Sequence, residues 1–281
     1  QFCMGCIDRK HVEEARARGV NAVFLPHGAE PEYLTDPARA RSVDVFVSGS
    51  FHHPTSVLRR AQETMPPAIT PIFRDMIDSF DYTVSFEDAL RTVLVARKLD
   101  RLDATYQQNL TTYLWPFVDT YLRNKARLRA LWALPRDARI VISGKGDWDM
   151  VVERFPNALL LPPLDFKDTL AVMKQSKVVL NITPSYMDGS HERVFYGMIT
   201  GAVVLTNPTS FLMESFRDGE SILFLGEDPR CDVERLQSYL QDKPKLLAIA
   251  EAGQQLVRQE HTWSHRVDSL LRHLAMSANY H

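Results

Sequence analysis

The sequence contains no long hydrophobic run. No stretch approaches the roughly 18 consecutive apolar residues that a membrane-spanning helix requires, and the first residues lack the basic and then apolar order of a secretory signal. These absences favour a cytoplasmic protein with no membrane span. Internal repeats and low-complexity tracts are also missing, which argues against a repeat architecture.

The sequence has no large excess of positive or negative charge. The formal net charge is -2, and basic residues are scattered among acidic ones instead of being concentrated on one segment. A nucleic-acid-binding surface normally needs a basic stripe or patch, so we expect no nucleic-acid partner. With 45% hydrophobic and 24% charged residues, the composition is that of a globular protein.

Cysteine is scarce. Cys3 and Cys6 form a single C-x2-C pair, and Cys231 lies far away in the sequence. A zinc site would need a second pair of ligands at suitable spacing, and none is present, so we predict no metal site. We interpret the three as ordinary reduced thiols, with a metal or redox role for the pair as the alternative.

The N-terminal residues predict one β-α-β unit. Residues 1–7 and 21–25 have the composition of strands, and residues 9–18 that of a helix ended by Gly19. One such unit cannot cover both faces of a parallel sheet. We therefore expect it to be the last piece of an N-terminal domain whose start is absent. A chain of 281 residues has room for two α/β units or one large one.

Residues 55–134 change to a helical pattern, with apolar residues at three- and four-residue spacing. The segment is long for a single crossover, so it predicts several helices packed beside a sheet. A connector between domains is predicted earlier in the chain, at residues 26–37, which are rich in proline. Two roles stay open for the helical segment. It either extends an acceptor cleft or mediates self-association through Leu114, Trp115 and Phe117.

The rest of the chain alternates strands and helices. Apolar runs without polar alternation are typical of strands buried on both faces, so we predict a parallel, doubly wound sheet in an α/β fold. The predicted strands are residues 43–48 (running into a Gly/Ser turn at 49–50), 139–143, 158–161, 177–182, 202–206 and 222–225, and the predicted helices are 166–175, 192–199 and 210–216. Ligands of such sheets bind beyond the carboxyl ends of the strands.

Two of the strand-end loops contain glycine. Gly49-Ser50 and Gly144-Lys145-Gly146 are suited to phosphate, because glycine lets backbone N–H groups approach an anion. Lys145 would add a positive charge there. The alternative is that both loops are plain turns and that Lys145 is a solvated surface residue.

The loop before residue 194 is the most polar. Asp188, His191, Glu192 and Arg193 follow a buried strand, and a helix starting near Ser190 would direct its positive end at a ligand. The Arg193 guanidinium can donate two hydrogen bonds to a diphosphate. The alternative is that Glu192 and Arg193 form an ion pair at a helix start.

Three stretches together resemble the C-terminal domain of GT-B glycosyltransferases. The first, residues 179–225, contains Glu192-Arg193-Val194-Phe195-Tyr196-Gly197, then Asn207, Glu214 and Asp218-Gly219-Glu220. The second is Leu25-Pro26-His27-Gly28 leading into Asp44-Val45-Phe46-Val47-Ser48-Gly49. The third is Glu260-His261-Thr262-Trp263-Ser264-His265-Arg266. The resemblance is strongest to the spore-maturation-protein-like subgroup, or glycosyl transferases group 1, and covers most of the chain outside the helical insert.

The resemblance implies how a donor is held. Many relatives use two glutamates, eight positions apart, for the sugar and ribose hydroxyls; these positions are Asp188 and Tyr196 here. A tyrosine cannot accept two ribose hydroxyls as a carboxylate does, so Glu192 or Glu214 becomes a candidate substitute. His191 and Arg193 fall where relatives meet the diphosphate. Asn207 and Glu214 match positions close to the donor, whereas Trp263 and His261 are interpreted as packing residues.

The implied protein is a GT-B-type glycosyltransferase with a partial N-terminal Rossmann-like unit. Residues 1–42 are then the remnant of an acceptor-side domain with its linker, 43–262 the nucleotide-sugar-binding domain with an insert at 55–134, and 263–281 a helix packing back. The resemblance implies a metal-independent transfer of sugar from a nucleoside-diphosphate sugar, without a further cofactor, to a protein, glycan or small molecule. No catalytic base is assigned.

Two other functions compete with this interpretation. A noncatalytic nucleotide-sugar or glycan-binding scaffold on the same fold is suggested by the missing second glutamate. A nicotinamide enzyme would need Gly-x-Gly-x-x-Gly after its first strand, and Gly49-Ser50-Phe51-His52-His53-Pro54 lacks that pattern. The sequence does not specify the donor base, the sugar, the acceptor or the stereochemical course.

Overall fold

A computed structural model describes residues 3–278 of the chain. The chain divides into two compact units, which are described separately. The larger contains the described parts of Gln1–Ser50 and Trp132–His281, and the smaller is Phe51–Leu131.

The larger unit is built on a six-stranded parallel sheet. Its strands are β3 (Val43–Ser48), β4 (Ile140–Ser143), β5 (Leu159–Leu161), β6 (Ser176–Asn181), β7 (Val203–Thr206) and β8 (Leu223–Phe224). They are arranged in the order β5-β4-β3-β6-β7-β8, and every neighbouring pair is parallel. This is the doubly wound order, in which the winding reverses between β3 and β6. The predicted α/β fold class is therefore confirmed.

Helices connect these strands and follow them. They are α6 (Asp149–Val152), α7 (Phe166–Met173), α8 (Glu192–Ile199), α9 (Ser210–Ser215), α10 (Pro229–Gln241), α11 (Lys243–Glu260) and α12 (Trp263–Ala278). The predicted helix at residues 192–199 is confirmed at both ends. The predicted break near His261 is also confirmed, because α11 ends at Glu260 and α12 begins at Trp263.

The core lies on the sheet around α8. Five of the eight α8 residues are apolar side chains with less than 5% exposure, and they pack with Phe46, Val179 and Val204 of the sheet. Gly197 permits this close packing, because a Cβ atom there would lie 2.8 Å from a Val204 methyl carbon. The helix α8, which follows the polar loop 188–191, is thus packed tightly against the sheet.

The strand β5, at the edge of the sheet, is more exposed than predicted, because its apolar residues were expected to be buried on both faces. Leu159 is 55% exposed and Leu160 is 38% exposed. The sequence pattern alone did not reveal this, since an apolar run of three leucines is the same at an edge as at the centre of a sheet. Position in the strand order decides it, because β5 has a neighbour on one side only.

The predicted N-terminal β-α-β unit is confirmed within the described residues. Strands β1 (Met4–Cys6) and β2 (Ala22–Phe24) form a separate two-stranded parallel sheet, with α1 (Arg9–Ala17) between them. The Asp8 carboxylate caps α1 by accepting a hydrogen bond from the Lys10 N–H at 2.9 Å. A short 3-10 helix (Pro31–Tyr33) follows before β3.

The smaller unit is helical. Its helices are α2 (Pro54–Thr64), α3 (Thr70–Ser79), α4 (Phe86–Ala96) and most of α5 (Ala104–Trp132). The self-association hypothesis needs correction at Leu114, because its side chain is fully buried and cannot form a surface contact. Trp115 is 40% exposed and contacts Phe80 and Phe86 edge to face. The oligomeric state stays a prediction.

Among residues 3–278, no helix is both long enough and apolar enough to cross a membrane.

Candidate donor-binding cleft

A cleft of about 530 Å³ lies at the carboxyl ends of the central strands. The turns after β3 and β4 form one side, and the first turn of α8 forms another. Seven of the eleven predicted site residues line it: Gly49, Ser50, Gly144, Lys145, Glu192, Arg193 and Tyr196. Because the winding reverses between β3 and β6, the loops after these strands diverge and leave room for a ligand.

The two glycine turns are in direct backbone contact. The Gly49 N–H donates to the Ser143 carbonyl at 2.9 Å, and a Cβ atom on Gly144 would lie 1.7 Å from the Gly49 carbonyl oxygen. Gly49 also has a φ of +135°, which disfavours other residues. Backbone geometry therefore explains both glycines without a ligand. The same geometry leaves Lys145 exposed on the cleft wall.

Arg193 lies where α8 meets the end of β6. Its guanidinium donates from Nη1 to the Asn181 side-chain oxygen at 2.9 Å, and Asn181 is fully buried. Asn181 in turn donates to the Thr206 hydroxyl at 3.1 Å. The end of β6 thus holds the Arg193 guanidinium in place through Nη1, which limits the entropy lost when the group binds an anion.

The start of α8 agrees with the predicted helical stretch 192–199 and differs from the expected start near Ser190. The helix begins at Glu192 and not near Ser190, because His191 is extended and acts as the cap. The His191 ring nitrogen Nδ1 accepts a hydrogen bond from the Arg193 N–H at 3.2 Å. Ser190 is buried just before the cap, with 1% exposure. His191 thus serves the helix end, and it does not line the cleft.

Tyr196 replaces a family glutamate but lies next to a carboxylate. Its hydroxyl donates a hydrogen bond to Glu30 Oε2. Burial, followed by this hydrogen bond, raises the pKa of Tyr196 far above its usual value, so the phenol stays protonated. Its ring meets those of Phe166 and Tyr33 edge to face, with centroids 5.0 and 6.0 Å apart.

Glu30 was absent from the sequence-based candidates. It precedes the 3-10 helix, and 166 positions separate it from Tyr196. No spacing rule connects two residues so far apart. Only the folded chain, which passes this connector beside α8, brings the carboxylate next to the cleft.

The loop between β5 and α7 was also missed. Its residues Pro163 and Leu164, with Phe166 of α7, form an apolar wall of the cleft. The Ser143 hydroxyl holds this loop by donating to the Pro162 carbonyl at 2.9 Å and accepting from the Leu164 N–H at 3.2 Å. The sequence did carry a signal, since this loop follows a strand of the same parallel sheet.

Asp188 and Glu214 lie outside the residues that line the cleft. Both pair with Arg9 of α1, which contacts Asp188 at 3.3 Å and donates to both Glu214 oxygens at 2.9 and 2.8 Å. The hydrogen bond from Arg9 lowers the pKa of Glu214, whereas burial raises the pKa of Asp188 against the effect of Arg9. The resemblance implied that these two acids contact the donor. Their ion pairs with Arg9 account for both carboxylates without a donor.

The loop 188–190 is fixed to the N-terminal unit by its backbone. The Asp188 N–H donates to Asp8 Oδ2 at 3.0 Å, and the Arg9 N–H donates to the Asp188 carbonyl at 3.0 Å. A Cβ atom on Gly189 would lie 2.2 Å from the Ile7 carbonyl oxygen, so this position has no room for a side chain.

Asn207 also lies outside the cleft lining. Its side-chain oxygen accepts a hydrogen bond from the Thr183 N–H at 2.9 Å, which ties the loop after β7 to the loop after β6. A contact between Asn207 and a donor stays a prediction.

The described residues include no group of three or more His, Cys, Asp or Glu side chains arranged to hold a metal ion. The chain does contain an Asp-x-Asp triplet, Asp147-Trp148-Asp149, which follows the turn at Lys145 and was overlooked in the sequence. Trp148 is buried with 2% exposure. Metal independence stays a prediction.

Solved structures with a similar fold include two complexes with UDP. They are TarM of S. aureus in complex with fondaparinux, alpha-GlcNAc-glycerol and UDP, at 9% identity and a TM-score of 0.51, and HepE of Anabaena in complex with UDP and glucose, at 10% and 0.54. Sucrose-phosphate synthase of Thermosynechococcus elongatus matches at 12% and 0.54. The alignments cover 96%, 97% and 98% of this chain and 43%, 62% and 59% of those chains, respectively. The chain therefore spans less than two thirds of their length, and the likeness establishes a fold of the GT-B class.

A family model described as glycosyl transferase-like matches residues 123–272, which is more than half of the chain. The chain therefore belongs to the glycosyl transferase-like family, as the resemblance predicted. No curated protein matches it. Membership of the spore-maturation-protein-like subgroup stays a prediction.

Proposed function

We propose that the cleft binds a nucleoside-diphosphate sugar and that the protein transfers the sugar to an acceptor. The observation that carries the proposal is the convergence of Lys145 and Arg193 on one cleft beside the Gly49 and Gly144 turns. These residues come from three separate parts of the chain. Two cationic side chains at the switch point of a doubly wound sheet are suited to a diphosphate.

The lining of the cleft suits the two ends of a nucleotide. It contains the cations Lys145 and Arg193 and the apolar residues Pro163, Leu164 and Phe166. A nucleobase can stack on the apolar residues while its diphosphate reaches the cations. The volume of about 530 Å³ is within the usual range for small-molecule sites, about 300 to 1,000 Å³.

Uracil is the first donor base to test. TarM and HepE, which share the fold, were both solved with UDP. In this chain the Tyr196 hydroxyl donates its proton to the Glu30 carboxylate beside the cleft, so the phenolic oxygen and the carboxylate offer acceptors for ribose or sugar hydroxyls.

The proposed chemistry is displacement of the nucleoside diphosphate from the anomeric carbon by an acceptor hydroxyl or other nucleophile. Negative charge grows on the leaving diphosphate in the transition state, and Lys145 and Arg193 stabilise it without a bound metal. No residue is assigned as the base that removes the acceptor proton. The acceptor stays open among a protein, a glycan and a small molecule.

Calorimetric titration with UDP, GDP, CDP and ADP tests donor binding. We expect one of the four to bind and Lys145→Ala to weaken it by about 1 to 2 kcal/mol, as loss of a charged contact in a half-open site does. Arg18→Ala, which removes an exposed charge at the C-terminal end of α1, is the control. Absence of binding by all four diphosphates would refute the proposal.

The scaffold alternative retains one structural argument. The two family acid positions are Asp188, which pairs with Arg9, and Tyr196, which carries no carboxylate of its own. A nucleotide-sugar assay separates the two functions: release of the diphosphate from a bound sugar nucleotide supports the enzyme. Binding without hydrolysis or transfer to any supplied acceptor supports the scaffold.

A further inference from the structure

A second cavity of about 390 Å³ lies at the opposite ends of the strands. Its lining includes residues at the starts of three strands: Arg41 precedes β3, Arg139 precedes β4, and Lys177 is the second residue of β6. The donor cleft lies beyond the other ends. Since β3 has six residues at about 3.3 Å each, the two sites are separated by roughly 20 Å of sheet.

The lining of this cavity is basic. Five of its thirteen residues are cationic and none is acidic: Arg39, Arg41, Arg139, Lys177 and Lys243. We call this site the basic cavity. Nearby carboxylates do not balance it, because Asp36, Asp44 and Asp242 together leave a formal excess of two positive charges.

Two of the cations share one carboxylate. Asp44 contacts Lys177 Nζ at 2.6 Å and Arg139 Nε at 3.3 Å. These three side chains form a local ion-pair group that needs no ligand. They do not explain why further positive charge gathers at the same place.

Arg41 is held by neutral groups. Its guanidinium donates to the carbonyls of Ser176 and Thr200, both at 2.9 Å, and to the Lys174 carbonyl at 3.1 Å. Within the described residues, its buried Nε has no hydrogen-bond partner. Burial, and then the positive charge of Arg39, lower the pKa of Arg41 to about 10, whereas the charge of Asp36 acts in the opposite direction.

Arg39 and Lys243 are the cations left for a ligand. Both are exposed, and no ion pair is formed by either within residues 3–278. Lys243 is the first residue of α11, and its helix continues with Leu246 and Leu247 along the cavity wall. Leu240 of α10 adds to this apolar side.

We propose that the basic cavity binds an organic phosphate. Arg39 and Lys243 contact the phosphate group, and the apolar part of the ligand packs on Leu246 and Leu247. A phosphate supplies negative charge against the formal excess of two positive charges, and arginine forks match its oxygens. The leucine wall favours a phosphate that carries a hydrocarbon or ring over the inorganic ion. This site is separate from the donor cleft and does not depend on the proposed function.

Hexyl phosphate, titrated into the protein by calorimetry, is the probe. We expect saturable binding of one molecule per chain, and no binding of hexyl glucoside, which has the same tail without the charge. Arg39→Glu and Lys243→Glu should each weaken binding at least about tenfold, because each reverses a phosphate contact. Arg18→Glu makes the same change in net charge on a distant exposed site and should leave the affinity within about twofold.

Three outcomes overturn the proposal. They are a lack of saturable binding, an equal loss of binding in Arg18→Glu, and displacement of hexyl phosphate by UDP with no effect of Arg39→Glu. The last result would place the probe in the donor cleft. Circular dichroism and unfolding curves of each variant check that the fold is retained.

Sedimentation with vesicles identifies the source of the phosphate. Co-sedimentation with phosphatidylcholine vesicles that contain phosphatidic acid, lost in Arg39→Glu, supports the site with a lipid headgroup as its ligand. Retained hexyl phosphate binding without co-sedimentation supports the site with a soluble organic phosphate. Vesicles of phosphatidylcholine alone are the control.

Discussion

The hydroxyl of Tyr196 donates a hydrogen bond to the carboxylate of Glu30, a residue from the connector before the 3-10 helix. The pair places a carboxylate beside a tyrosine at the position where many relatives have a glutamate. Tyr196 itself lines the cleft. The chain therefore has an acidic group next to the candidate donor cleft, although not at the sequence position that the resemblance implied.

Tyr196→Phe tests this pair. The substitution keeps the ring contacts with Phe166 and removes the hydroxyl, so we expect the free energy of unfolding to fall by about 1 to 2 kcal/mol, since Glu30 is partly solvated. Urea titration measures the change. Tyr106→Phe, at a tyrosine that is 52% exposed, should change stability by less than about 0.5 kcal/mol. Equal effects of the two variants would contradict the assigned hydrogen bond.

Arg193→Ala and Glu214→Ala should affect nucleotide binding differently. Arg193 lines the cleft, so its loss should weaken UDP binding, or binding of whichever diphosphate the screen identifies, by roughly 1.5 to 3 kcal/mol. Glu214 pairs with Arg9 outside the cleft, so its loss should leave the affinity within about twofold. Calorimetry measures both. An unchanged affinity in a folded Arg193→Ala variant rejects the role of Arg193, and a large loss in Glu214→Ala restores Glu214 to the donor site.

The stability of the protein should decrease in mild acid because of His261. Burial, and then the positive charge of Arg266, lower the pKa of His261 to about 3, whereas an unfolded histidine has a pKa near 6.5. Above about pH 6.5 both states are neutral and the stability is fully present. As the pH falls from 6.5 toward 3, the unfolded state binds a proton that the folded state excludes, so the stability is progressively lost.

The His261 contribution should reach about 2 kcal/mol at pH 5 relative to pH 8. His261→Phe keeps an aromatic ring between Phe195 and Phe216 and removes the titrating group. The difference in unfolding free energy between the two pH values should therefore be about 2 kcal/mol smaller in this variant. Burial also lowers the pKa of His27, so part of the pH dependence should remain. Identical differences in the two proteins would show that His261 does not titrate as described.

Gly144→Ala should disrupt the turn that supports the cleft. A Cβ atom there would lie 1.7 Å from the Gly49 carbonyl oxygen, so the backbone must move, and we expect a loss of more than about 2 kcal/mol. Gly19→Ala is the matched control, because Gly19 has a φ of +78° but open space around it. Strain alone should cost it about 1 kcal/mol. Similar unfolding curves for the two variants would show that the contact between the turns is unimportant.

The sequence by itself determined the type and order of the elements in the larger unit. Its apolar runs are short, rich in Val and Ile, and separated by helical spacing, and each of these features follows from local chemistry. The helix at Glu192–Ile199 was predicted at both ends for this reason. Convergence of Gly49, Lys145 and Arg193 was also predictable, because the carboxyl ends of parallel strands meet at one edge of the sheet.

Tertiary structure alone decided which polar groups face the cleft. Asp188 and Glu214 occupy sequence positions where the resemblance implied contacts with the donor. In the folded chain both pair instead with Arg9, which lies on α1 near the N-terminus. Glu30 belongs to no recognisable sequence motif. It contacts Tyr196 only because the connector at residues 26–37 passes beside α8. The physical reason is the same in each case: the direction of a charged side chain depends on partners brought close by folding, and sequence spacing does not encode such distances.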